Sequence, residues 1–149
     1  MRKLHLHLIV IFLFFSTFPA SAADMAEKMK IQNQNVVKAA AEEFSKDLPK
    51  RVDRYTRLIE VEADGEKLVY IFEIDAAPKS DDEVVKEGKT KMERRVVAGT
   101  CATSQRFLKS GITLSYRYLS AATKRTLFDI DVKEADCLNM SLVGASEIP

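Results

Sequence analysis

The residues best equipped to meet a ligand lie in one short run. Lys50, Arg51, Arg54 and Arg57 surround Tyr55. Guanidinium forks match carboxylate and phosphate geometry, and a tyrosine adds an aromatic platform, so the run is a candidate anion-binding or partner-binding site. The competing reading is a solvated connector whose arginines pair with Asp47 and Asp53, since exposed pairs of this kind are common and weak. Carboxylates offer a second chemistry. Asp129 and Asp131, and likewise Glu60 and Glu62, stand two residues apart on alternating segments, about 6–7 Å along a strand. That spacing is compatible with the carboxylate pairs of glycoside hydrolysis. It is also the pattern of any half-exposed antiparallel strand.

Other chemistries are missing from the residue types. The two histidines, His5 and His7, both fall in the first 22 residues, which leaves the rest without imidazole bases, triads or His metal ligands. Two cysteines, Cys101 and Cys137, lack C-x-x-C spacing and a histidine to activate a thiolate. Ser104, Ser110, Ser115 and Ser120 lack a nucleophile setting, and the five glycines are scattered, with no phosphate loop. No cofactor, metal site or catalytic residue is therefore expected.

The N-terminus reads as an export signal. Arg2 and Lys3 precede an apolar run from Leu4 to Phe18, Pro19 breaks it, and Ala20-Ser21-Ala22 supplies the small residues that a signal peptidase accepts. The reading divides the chain into a signal peptide over 1–22, one domain over 23–137, and a loosely ordered tail over 138–149. The alternative is an uncleaved anchor, although the run is short for a bilayer span of about 20 residues. No cysteine follows the run, which speaks against a lipid anchor there. Cleavage after Ala22 leaves 127 residues with 21 basic and 22 acidic, where the full chain of 149 has 23 and 22. Near-neutral charge gives no reason to expect nucleic acid as a partner, and no stable membrane insertion is expected after cleavage. In an oxidising compartment the two cysteines are expected to pair, closing a loop worth about 4 kcal/mol.

The elements that must hold these residues follow from periodicity. Met25, Met29, Val36, Val37, Ala40, Phe44 and Leu48 predict an amphipathic helix over 25–48 whose Met and Phe stripe faces the core, ending at Pro49. Alternation over 55–63 and 67–75 around Asp64-Gly65 predicts a hairpin with a type I′ turn. Tyr55, Arg57, Ile59, Val61 and Ala63 would share one face. Ser80 and Glu83 form a capping box ahead of a helix that Gly99 would stop. A short helix around Phe107 closing at Gly111, then a second hairpin over 112–132, completes the order. Tyr70, Tyr116 and Tyr118 read as core-edge residues or as an aromatic binding surface. The expected architecture is α+β: an N-terminal helix and two hairpins forming a four-stranded antiparallel sheet, with the intervening helices on one face.

The run Leu48-Pro49-Lys50-Arg51-Val52-Asp53-Arg54-Tyr55-Thr56-Arg57-Leu58 has as companions the Tyr70 strand, Cys101, Gly111 leading to Tyr116-x-Tyr118, and Asp136-Cys137. Together they resemble a family of small exported bacterial envelope proteins of uncharacterised function. The resemblance implies a bacterial envelope protein with a Cys101–Cys137 bridge and carries over no catalytic residue. The combined reading is a periplasmic or secreted binding module: an inhibitor, an immunity-type protein or an envelope accessory factor whose partner is another envelope or secreted protein. The alternative is a small hydrolase using carboxylates on cell-wall or glycan substrates.

Overall fold

The computed structural model describes residues 20–139. Eight elements follow in chain order: helix α1 (Ala20–Phe44), strands β1 (Lys50–Arg51), β2 (Thr56–Asp64) and β3 (Lys67–Ile74), helices α2 (Asp81–Thr103) and α3 (Gln105–Lys109), and strands β4 (Thr113–Ser120) and β5 (Thr126–Val132). A further helical turn covers 134–139. The class is α+β with an N-terminal helix, as the periodicity indicates.

The sheet corrects the expected architecture. It has five strands in the order β1-β2-β3-β4-β5, and β3 pairs with β4 in parallel, from Lys67↔Thr113 to Ile74↔Ser120. The two hairpins are antiparallel within themselves. Between them α2 and α3 carry the chain back along the sheet, so β4 starts at the end where β3 started. A crossover of this length is what parallel neighbours require. The fifth strand is the dipeptide Lys50–Arg51, paired to Leu58 and Arg57.

Both long helices lie on one face. Phe44 of α1 stacks on Tyr70 at 6.1 Å, and Thr100 of α2 bonds the Tyr116 hydroxyl at 2.7 Å. Tyr70 and Tyr116 are direct neighbours on that face, with ring centroids 5.3 Å apart. The stack continues through Phe72, Tyr118 and Phe128. Burial pushes the Tyr70 hydroxyl up to about 12, helped by Tyr116, so these rings are neutral packing units. Between the helices and the sheet, Val37, Leu68, Ile112, Leu114 and Val132 are the largest fully buried side chains.

Local signals set several boundaries. Ser80 accepts from the Glu83 amide and Glu83 answers at the Ser80 amide, completing the capping box. Gly99 does not stop α2, which runs on to Thr103. The first hairpin turn is shifted by one residue. Asp64 and Lys67 close it, with Gly65 at φ 60° in the first central position, as in a type II′ turn. A bulge between Leu58 and Glu60 switches the phase of β2, so Thr56, Leu58 and Val61 face the helices while Arg57 faces away. Helix α1 packs through Asn33, Val37 and Ala41, and residues 22–32 are exposed on every side. Met25 at 63% and Met29 at 52% exposure are therefore not core residues, contrary to the stripe's reading. The stripe runs past the edge of the sheet. Asn33 anchors the helix where it meets the body, donating to Glu66 at 2.9 Å and to the Ser110 carbonyl at 2.8 Å. Cys101 and Cys137 are bonded, with Cα atoms 5.4 Å apart, tying the end of α2 to the 134–139 turn.

Candidate functional site

A wide apolar groove of about 630 Å³ lies between the 53–56 turn and α2. Its first wall is a rigid turn. Asp53 Oδ1 accepts the amides of Tyr55 at 2.8 Å and Thr56 at 2.9 Å, and the Val52 amide donates to the Thr56 carbonyl at 2.9 Å. This turn holds Tyr55 at the mouth, 55% exposed, with the Arg54 guanidinium over its ring at 5.4 Å. The floor is Thr56, Ile74 and Phe128. Residues 76–79 close the lower end through an Ala76–Lys79 turn that contains a cis Ala77–Pro78 bond, and the Asp75 amide donates to the Tyr55 carbonyl at 2.8 Å.

The second wall is the row Val84, Gly88 and Met92 on α2. These residues stand four apart and form one ridge. A Cβ added at Gly88 would find no atom within 4 Å, so the glycine leaves a notch in the ridge that nothing among the described residues fills. The start of α2 is braced from behind. Asp81 accepts from the Thr123 hydroxyl at 2.7 Å, and Arg125 reaches Asp82 at 2.8 Å. The Thr123 and Ser120 hydroxyls hold the Asp81 carboxyl below its ordinary range, with Arg125 adding to the effect.

The structure distributes the basic run rather than gathering it. Arg54 and Tyr55 stand at the groove mouth. Lys50 borders a separate hollow of about 380 Å³ with Phe44, Leu48, Leu58 and Tyr70. Arg51 and Arg57 lie on the opposite face of the sheet, where Arg57 pairs with Glu73 at 3.1 Å. Among the described residues Lys50, Arg51 and Arg54 have no ion-pair partner, so the arginines do not pair with Asp47 and Asp53. The carboxylates of the hydrolase reading also face away from the helices. Asp129 pairs with Arg117 and Asp131 with Lys67, both at 2.9 Å. Burial works against the Asp131 anion, but hydrogen bonds from Ser115 and Lys67 outweigh it and hold the carboxyl below its ordinary range. An ionised, ion-paired carboxylate is not a proton donor, so Asp131 does not supply a general acid. No cluster of three or more potential metal ligands occurs among the described residues, and no described helix is long and apolar enough to cross a membrane.

Sequence reasoning missed the α2 wall and the 76–79 loop. The available signal was Gly88, a lone glycine in the interior of a helix that gains nothing from it.

No family model matches the chain, and no curated protein matches its sequence. Solved structures do. A Pseudomonas aeruginosa protein assigned as secreted superposes with a TM-score of 0.66 at 13% identity, covering 73% of this chain and 96% of its own. The pilotin EpsS of the Vibrio vulnificus type 2 secretion system gives 0.63 at 12%, covering 74% and 96%. The type II secretion system pilotin AspS of Vibrio cholerae gives 0.55 at 17%, covering 76% and 98%. At these identities the likeness establishes a shared fold that spans nearly the whole of each neighbour.

Proposed function

We propose that this protein is an exported accessory module of the bacterial envelope that docks a segment of another envelope protein in the groove between Tyr55 and α2. The observation that carries this reading is the groove itself: an apolar channel with an exposed tyrosine at its mouth and an unfilled notch in one wall. An amphipathic helix fits best. Its ridges would pack across the Val84–Gly88–Met92 row, and an acidic residue on it would meet Arg54. Support for the setting comes from the signal-like composition of residues 1–22 and from the fold, which resembles that of a protein assigned as secreted and of two secretion-system pilotins. The first partners to test are therefore components of envelope secretion machinery. Export by cleavage after Ala22 belongs to the same proposal.

The test places a photo-crosslinking amino acid at position 55 in intact cells, with position 129 on the opposite face as the control. The protein captured from position 55 alone is identified and its interacting segment synthesised. Met92→Glu is then expected to weaken binding of that segment at least tenfold, because a charge would be buried in the groove. Identical capture from both positions, or a Met92→Glu variant that binds normally, would overturn the reading.

A further inference from the structure

The face of the sheet turned away from the helices carries its charge unevenly. Past the β2 bulge lie the carboxylates Glu60 and Glu62, and toward β5 cations and carboxylates meet one to one, as in Arg117 with Asp129 and Lys67 with Asp131. At one corner they do not. Arg51 stands directly opposite Arg57 across β1 and β2, and Arg57 stands directly opposite Glu73 across β2 and β3. Lys124 reaches the same carboxylate from the β4–β5 loop, bonding Glu73 Oε1 while Arg57 takes Oε2. Two cations thus share one carboxylate, whose side chain is only 7% exposed, while Arg57 and Lys124 are 54% and 64% exposed, and Arg51 adds a third positive charge beside Arg57.

Two features of this corner work against the fold. Like charges directly opposite on neighbouring strands repel. Lys124 sits at φ 60°, a left-handed conformation that costs a lysine energy. The buried Glu73 offsets part of the charge and fixes Arg57 and Lys124 in place. Arg51 remains without an ion-pair partner among the described residues, and Arg57 keeps donors that Glu73 does not use.

We infer that Arg51, Arg57 and Lys124 form a binding site for a phosphate group. A phosphate presents several acceptor oxygens, enough to bridge the two guanidinium forks and the ammonium, which one carboxylate cannot do once Glu73 occupies the inner side. The site is separate from the groove, on the other side of the sheet, and stands or falls independently of it. The group could belong to a lipid headgroup or to a soluble phosphate ester.

The experiment titrates the purified protein with inorganic phosphate, with chloride at matched ionic strength as the reference, and follows the arginine Nε–Hε signals by NMR. Phosphate is expected to move the Arg51 and Arg57 signals beyond any chloride effect. Arg51→Gln should weaken this response at least tenfold, with unchanged or slightly raised thermal stability, while Arg117→Gln should bind as the parent does. Lys124→Gln serves as a second variant should Arg51→Gln fail to fold. Vesicles of phosphatidylcholine with and without phosphatidylglycerol then separate the sources. Retention that requires phosphatidylglycerol and Arg51 assigns a lipid headgroup, and a phosphate response without vesicle retention assigns a soluble ester. Equal responses to phosphate and chloride, or an Arg51→Gln variant that responds like the parent, would overturn the inference.

Discussion

Gly88→Ala should make the protein more stable and bind its partner less well. A glycine in a helix interior costs about 0.8–1 kcal/mol relative to alanine, because the unfolded chain has more freedom to lose. Gly88 lies near the middle of the 23-residue α2. A Cβ there would meet no atom within 4 Å, so no steric penalty offsets the gain. Nearly the full propensity difference should appear, about 1 kcal/mol, which raises the melting temperature by about 4 °C for a domain of this size. The assay is chemical denaturation of parent and variant, with a shifted midpoint and an unchanged m-value expected. The added methyl group narrows the notch between Val84 and Met92, and Gly88→Leu fills it. Affinity for the segment captured at position 55 should fall in the order glycine, alanine, leucine. A destabilised Gly88→Ala would show that the space at this position is not open, which refutes the geometric argument. A stabilised variant whose alanine and leucine forms both bind normally would leave the helix argument standing and remove α2 from the docking surface.

Three further outcomes follow from named contacts. Replacing both Cys101 and Cys137 with serine should lower stability by about 4 kcal/mol, the loop-closure value for a separation of 36 residues, and reductant should reproduce the effect in the parent alone. Asn33→Ala strips the Ser110 carbonyl and Glu66 of their donor at a buried position, with an expected loss of about 1–3 kcal/mol by urea denaturation; a loss below a few tenths would show that α1 is held by Val37 and Ala41 alone. The Glu73 carboxyl is held below its ordinary range, chiefly by its hydrogen bond to Lys124, against the opposing effect of burial and with Arg57 adding to the lowering. Its contribution is therefore present above the unfolded value near 4.5 and disappears as pH falls through the folded value. Melting temperature should decline more shallowly below about pH 4.5 in Glu73→Gln than in the parent, and parallel acid limbs would show that the ion pairs add nothing.

Whatever was local could be read from the sequence. Ser80 and Glu83 satisfy each other within one helical turn, so three residues of spacing were sufficient. The strands were legible from alternation, and their pairing within each hairpin was too. What failed depended on distant structure. Hairpin signals describe antiparallel pairs only, so the direction of β3 against β4 rested on the length of α2, a crossover rather than a cover. The bulge after Leu58 reversed the faces of β2, and nothing in an alternating run announces a slipped residue. Met25 and Met29 keep the helical period of Val37 and Ala41, yet the sheet ends beneath Asn33, and periodicity does not report where a partner surface stops.

The basic run shows the same limit at the site itself. Lys50, Arg51, Arg54, Tyr55 and Arg57 are near neighbours in sequence, which suggested a single cluster. A strand alternates its side chains between faces, and this run also contains a turn, so neighbours must be separated. Lys50 follows Leu58 toward the helices, while Arg51 follows Arg57 to the opposite face, where Arg57 shares Glu73 with Lys124, a residue nearly seventy positions further on. Arg54 and Tyr55, carried by the turn, project to the groove mouth. One stretch thereby serves two surfaces, and the substitutions that probe them can be separated. Losing Arg54 should leave the phosphate response intact, and losing Arg51 should leave the groove intact. A variant at either position that abolished both would mean that the turn, rather than the individual side chains, is what both surfaces require.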